Sequence, residues 1–364
     1  MLIGSILYLL PLVSPKNSDS TIVTSLPRPQ SINVATSSAT PNENLSPDTI
    51  FKYIDPETQV KNNNLLEYTI IATGDVIPAR SVNAKLVALN NFNYPFQKTM
   101  SFLKSADAVF INLESPLISK CKPTVEGMSF CGDEKDVQGL VYAGVTVASI
   151  ANNHAGNYGL DGVNETVSLL KKNNISVAGN IDPAIITIKD KKFGFLGYND
   201  IGSKEAGIAW ADISYIQKDV KDLKKQVDFV IVTFHWGIEY TLVPNRRQVD
   251  LSHSTIDAGA DLIIGNHPHW VQGIEEYKGK YITYAHGNYV FDQMWSQETR
   301  EGVLGKYTFN KEGLKSIYFF PIIIDDYSQP RFATEKEANK ILARMQESTL
   351  TIKEKISNKK LQKN

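Results

Sequence analysis

The 364-residue sequence has only two cysteines, so neither a multi-disulfide scaffold nor a cysteine-rich metal cluster can organise it. It carries no excess of either charge, since 38 Lys and Arg face 39 Asp and Glu. Without a basic stripe, nucleic acid is not expected as a partner. It lacks an apolar run of the ~20 residues that cross a bilayer, and it shows no internal repeats. What remains is 42% apolar and 21% charged, an ordinary globular composition. The length suits one large α/β domain or two modest ones.

The termini differ from the middle. Residues 2–13 form one short apolar run, read as the h-region of a signal peptide or a truncated signal anchor spanning 1–13. Residues 14–64 are rich in Ser, Thr, Asn and Pro and poor in periodic apolar positions, which predicts a flexible linker. A folded domain is expected over 65–352, followed by a charged tail at 353–364. Cys121 and Cys131 flank one short Lys-, Pro- and Gly-rich stretch. That spacing suggests a disulfide in an oxidising compartment, with idle thiols as the alternative; no His lies nearby to complete a zinc site. The chain is therefore expected outside the cytoplasm, secreted or anchored through its N-terminus.

Within the domain, short apolar runs at 68–72, 108–113, 145–150, 193–197, 229–234, 262–264 and 281–285 read as strands buried on both faces. Helical patterns lie between several of them, at 159–173, 213–226 and 246–258. This alternation predicts an α/β fold with much parallel pairing. From residue 303 to 324 an antiparallel pair is expected around an Asn-Lys-Glu-Gly turn, and an amphipathic helix from about residue 334.

The informative pattern is what ends each strand. The runs lead into Gly74-Asp75, Asn112-Leu113-Glu114, Asn152-Asn153-His154, His235-Trp236-Gly237 and Gly265-Asn266-His267-Pro268-His269. In open α/β sheets ligands bind beyond the carboxyl ends of the strands. Five strand ends thus bring metal-type ligands to one edge, among them four of the six histidines. Imidazole with carboxylate and amide oxygen suits Mn, Fe or Zn better than Ca or Mg alone. His267 and His269, two residues apart, would face the same way in extended backbone. A carboxylate such as Glu114 can bridge two ions ~3.5–4 Å apart.

These five motifs in this order resemble the CapA branch of the calcineurin-like metallophosphoesterases, over roughly residues 68–352. The resemblance implies a four-layer α/β/β/α sandwich around two divalent metal ions. It implies Asp75 and His269 on the first metal, Asn153, His235 and His267 on the second, and Glu114 as the bridge where the wider superfamily has Asp. His154 would meet substrate, as an acid or as a group stabilising negative charge. Arg80 matches an Arg of the pattern and would clamp phosphate or carboxylate, or else sit at the surface. Asn112 would bind a metal-held group or cap a turn. His286, before a Gly-Asn-x-x-Phe-Asp segment, would line the cleft or be structural. Glu239 and Gln272 are possible supports for metal-bound histidines, Trp236 a packing residue and His253 a structural one. The chain departs from the pattern at Ile77, where the superfamily has a ligand His, and at Asn157, where an Asp is common.

Three functions compete. The first is metal-dependent hydrolysis or transfer on an anionic cell-surface polymer such as poly-γ-glutamate, the polymer the family name points to. The second is a non-catalytic accessory role, with the same centre holding polymer for a membrane synthase. The third is a general phosphoesterase acting on a phosphoester substrate.

Overall fold

The computed structural model describes residues 45–59 and 64–361. Two mixed sheets stack face to face. The first has eight strands; its main path runs Gln329–Phe332, Gly313–Asp325, Glu301–Asn310, Tyr68–Val76, Ala108–Leu113, Val147–Ser149 and Ser176–Ala178, and Asn288–Val290 pairs with Tyr68–Val76. The second has six, in the order Ile274–Tyr277, Lys280–Thr283, Leu262–Asn266, Phe229–His235, Lys191–Asn199 and Ala184–Ile188. Every expected strand is present, and the helices Gly159–Lys172, Ile213–Lys224 and Arg246–Ala258 fall where the periodicity places them.

Alternation along each strand builds the layers. Ile70, Ala72 and Phe110 point between the sheets, where they meet Phe195, Phe229 and Ile231. Their neighbours Ile71, Val109 and Ile111 point outward, onto Val82, Leu140, Val163 and Leu170 of the helices on that side. On the other sheet Val230, Val232 and Ile263 pack on Ile216, Val220 and Leu251 of the two helices beyond. The result is helix, sheet, sheet, helix, the expected four-layer sandwich. Local signals fix the helix starts. Asp212 accepts from the backbone N–H of Ser214 and Tyr215, and Asn245 forms a reciprocal capping box with Gln248.

The linker expectation is corrected over residues 45–59. A short helix, Pro47–Ile50, is capped by Ser46 and sends Ile50 and Phe51 into the inter-sheet core. Phe51 stacks on Phe319 with ring centroids 6.2 Å apart. Two apolar side chains in a polar stretch show no period, so composition hid them. The remainder of 1–64 assigned to signal and linker, residues 1–44 and 60–63, lies outside the described residues. The last helix, Glu335–Leu361, continues through the expected tail. It inserts Ala338, Ile341, Leu342 and Met345 between the sheets, the i, i+3, i+4, i+7 stripe of a docked helix. No helix among the described residues is long and apolar enough to cross a membrane.

Candidate metal centre

Strand register assembles the site. In the first sheet Asp75 lies opposite Asn112 on one side and Asn288 on the other. In the second, His235 lies opposite Asn266 and Asn199. Asp75 is inside its strand, Tyr68–Val76, beyond an irregularity in pairing after Ala72. The irregularity lets the strand run on past the expected end.

His267 and His269 reach the site differently from the extended pair expected. Both have positive φ, 97° and 56°, which non-glycine residues seldom adopt. Such a conformation costs about 1–3 kcal/mol per residue and persists where surrounding structure enforces it. Here the backbone N–H of His267 donates to Asp75 Oδ2 at 3.3 Å.

The donor atoms converge in two groups that share Glu114. In one, single ligand atoms of Asp75, Glu114 and His235 lie within 4.8 Å of one another; in the other, those of Glu114, His267 and His269 do. His235 Nε2 lies 2.8 Å from Asn153 Oδ1, 3.1 Å from His267 Nδ1 and 3.4 Å from Glu114 Oε1. Glu114 is fully buried, and its Oε1 has no hydrogen-bond partner among the described residues. Two imidazole nitrogens, an amide oxygen and a carboxylate oxygen without a hydrogen bond face one point, a donor set that a cation fits. The nitrogen and oxygen donor set suits a divalent transition metal. On the other side His269 Nδ1 lies 3.2 Å from Asp75 Oδ2 and 2.9 Å from Asn288 Oδ1.

The electrostatics follow from burial. Burial, with the Asp75 charge beside it, pushes the Glu114 carboxyl well above the usual range. Burial also lowers His235 to about 3 and His267 well below the usual histidine value, so both rings offer lone pairs. For His269 burial works downward, but the hydrogen bond and charge of Asp75 prevail and raise it to about 9. Burial likewise opposes Asp75 ionisation, and its contacts with His269 hold the carboxyl below its ordinary value.

Asn112 lies at the hub. Its Nδ2 donates to Asp75 Oδ1 at 2.8 Å, and its Oδ1 accepts from Asn152 Nδ2 at 3.1 Å. It orients a carboxylate rather than capping a turn. His154 stacks on Phe130 with centroids 3.9 Å apart, and burial lowers it to about 4 despite its hydrogen bond to Asn157. The Arg80 guanidinium is bonded to Asp292 and lies between the rings of Phe130 and Phe291, 4.8 and 5.0 Å from their centroids. One nitrogen, Nη2, donates to this carboxylate, Nη1 lies 3.5 Å from the Gly127 carbonyl oxygen, and Nε has no hydrogen-bond partner among the described residues.

His286 does not join the site. It is fully buried, with Nδ1 on the Thr73 carbonyl and Nε2 on the Tyr307 hydroxyl, and it serves the core. Gln272 bonds Gln248 and Thr241 rather than a metal-side histidine. Glu239 is exposed, and its charge acts on His154, His235 and His269 without a bond to any of them. Trp236 is fully buried, with Nε1 on the Tyr284 carbonyl, and His253 pairs with Glu275. Three site residues carried no sequence assignment: Asn288, Asn152 and Phe130. Asn152 Oδ1 accepts from the N–H of His154 and Ala155, an Asx turn that the Asn-Asn-His string does signal. Asn288 is the Asn of the Gly-Asn-x-x-Phe-Asp segment, whose partner only tertiary pairing reveals, and Phe130 left no local signal.

The four-layer sandwich is a fold of the metallophosphoesterase type, with carboxylate, amide and imidazole groups gathered at its strand ends. Within that class the chain belongs to the bacterial capsule synthesis protein family PGA_cap, which it matches over residues 69–293. It is similar to the PGA biosynthesis protein CapA of Bacillus subtilis (strain 168), 31% identical over 288 residues that cover 74% of this chain and 75% of that one. It is also similar to the capsule biosynthesis protein CapA of Bacillus anthracis, 28% identical over 312 residues covering 80% and 75%. Among solved structures, a phosphatase from Mycoplasma pneumoniae overlays with a TM-score of 0.47 at 14% identity, covering 71% of this chain and 95% of that one.

Proposed function

We propose that the chain serves capsule or poly-γ-glutamate synthesis or anchoring outside the cytoplasm, acting on an anionic polymer at a centre of two divalent ions (Mn, Fe or Zn). The resemblance divides the donors as Asp75 and His269 on one ion and Asn153, His235 and His267 on the other, whereas the observed groups put His235 with Asp75 and His267 with His269; in both divisions Glu114 would serve both ions. The single observation that carries this reading is Glu114, a buried carboxylate common to both donor groups with an unpartnered oxygen. Two divalent ions held by two carboxylates would leave a net positive centre suited to polymer carboxylates or phosphoesters, and would supply an activated water. Asn112 and Asn288 keep Asp75 and His269 in place, and His154 faces substrate. The disulfide between Cys121 and Cys131 supports an oxidising compartment.

A non-catalytic reading, in which the centre holds polymer for a membrane synthase, draws on Ile77 and Asn157. The first removes a ligand of the superfamily pattern, and the second leaves no carboxylate beside His154. Metal analysis and turnover on phosphoester and γ-glutamyl substrates test both. The parent protein should hold metal, His267→Ala should lose it, and His154→Gln should keep it. If the protein is an enzyme, His154→Gln should lower the rate by about 10²–10⁴. Full occupancy in His267→Ala would sink the metal assignment. Polymer binding without turnover in the parent would favour the accessory role.

A further inference from the structure

The loop closed by Cys121 and Cys131 lies outside every ligand motif, yet it ends on the site. Phe130, next to Cys131, stacks on the His154 ring with an interplanar angle of 19°. The backbone N–H of Phe130 donates to Asn157 Oδ1 at 2.7 Å, and the same oxygen lies 3.0 Å from His154 Nδ1. A backbone N–H can donate only to the oxygen of an amide, so Phe130 fixes which way Asn157 faces. An oxygen facing Nδ1 requires the proton on Nδ1. His154 Nε2 makes no hydrogen bond among the described residues and is left with a lone pair.

The loop itself is tied down from both sides. Asn83 Nδ2 donates to Cys121 Sγ at 3.3 Å, and the Tyr158 hydroxyl lies 3.4 Å from Cys131 Sγ. Arg80 stacks on the other face of the arrangement, between Phe130 and Phe291.

We infer that the disulfide loop is a positioning device for His154: through Phe130 and Asn157 it holds the imidazole as the Nδ1–H tautomer, so that Nε2 accepts a hydrogen bond from substrate or water. This deepens the functional reading above, on which it rests. Cys121 and Cys131 thereby belong to substrate handling as well as to stability. Their reduction releases the ring without removing a metal ligand.

The test is the histidine ¹⁵N spectrum of the zinc-loaded protein, in which the two ring nitrogens report the tautomer directly. The parent should show the Nδ1–H to Nε2–H ratio of His154 raised about fivefold over that of an unconstrained imidazole, the worth of one neutral hydrogen bond. Asn157→Ala and the double variant Cys121→Ser/Cys131→Ser should each bring the ratio toward that of an unconstrained imidazole. Phe130→Ala keeps the backbone N–H that faces Asn157 Oδ1 and should leave the ratio near the parent's, whereas Phe130→Pro lacks that N–H and should bring it toward the unconstrained value, a split that a merely structural role for the ring would not give. Zinc content should be unchanged throughout. A parent with the proton on Nε2, or a double-serine variant with the parent ratio, overturns the proposal. A parent that takes up no zinc would undo the functional reading instead, and the tautomer would still be read from the same spectrum.

Discussion

Replacing Glu114 by Gln should move stability in opposite directions with and without metal. In the metal-free protein Glu114 is fully buried, its Oε1 is unpaired, and Asp75 repels its ionised form. A buried polar atom without a partner costs about 1–3 kcal/mol. Gln has the same shape and no charge, so it escapes the burial cost and the Asp75 repulsion that the ionised carboxylate meets. Glu114→Gln should therefore stabilise the metal-free protein by about 1–3 kcal/mol. Metal reverses the order. An ion at 100 times its dissociation constant stabilises the folded state by about 2.7 kcal/mol, and both proposed sites depend on the Glu114 charge. The parent should gain that amount for each ion bound, whereas the variant should gain little. Urea unfolding in EDTA and in excess Zn²⁺, with metal content measured on the same samples, gives the four stabilities required. A variant less stable than the parent in EDTA, with an undiminished gain from zinc, would refute the argument.

Three further outcomes follow from particular contacts. Ile50→Ala should cost about 2–4 kcal/mol in urea unfolding, because its side chain is fully enclosed in the inter-sheet core. Gly74→Ala should lower both stability and metal content, since an added Cβ would lie 2.3 Å from the Gly287 carbonyl oxygen and force the Asn288 strand away from Asp75. Asp136 is buried with both oxygens unpartnered, and burial raises its carboxyl well above the usual range. Its folded-state proton is then held more tightly than in the unfolded chain, so stability falls as pH rises from the unfolded value through the folded one. Asp136→Asn should flatten that alkaline-going decline in a series of urea melts, leaving the acid end little changed.

The sandwich and the ligand motifs were legible because both rest on local pattern. Runs such as 108–113 and 229–234 are apolar on both faces, which marks strands covered by layers on either side, and each stops at a polar string that can only be a loop or a site. The helix Arg246–Ala258 was legible from its apolar pattern, and the structure bounds it with Asn245 at the start and Gly259, at a φ of 119°, at the end. Residues 45–59 were not legible, since Ile50 and Phe51 dock through tertiary contact alone. His286 was ambiguous for a related reason. Nothing next to it in sequence reveals that the Thr73 carbonyl and the Tyr307 hydroxyl take both of its nitrogens. The extended geometry assumed for His267 and His269 failed because their loop bends through the left-handed region to bring both rings toward Glu114.

Position 77 shows how one departure from the superfamily pattern is absorbed. Ile77 is fully buried in a small cluster with Ala79, Phe130 and Phe291. Its backbone N–H donates to the Val290 carbonyl, so the chain at this point belongs to the sheet edge and the side chain to packing. The cluster contains the two rings that enclose Arg80, one of which also stacks on His154. An imidazole here would put a polar ring among these aromatic side chains, where an unpaired nitrogen is costly. Support on this side of the site comes from the neighbouring strand instead. Register sets Asn288 beside Asp75, its Oδ1 faces His269 Nδ1, and its Nδ2 is held by the Thr299 carbonyl. An amide fixed in this way sets the orientation of His269 and leaves Nε2 as the nitrogen available to a metal, the usual arrangement for a ligand histidine. The loss of a ligand at 77 and the fixing of His269 by Asn288 thus bear on the same side of the centre. An ion held there would have one protein donor fewer than the superfamily pattern supplies, which would leave a place for water or for an oxygen of the substrate.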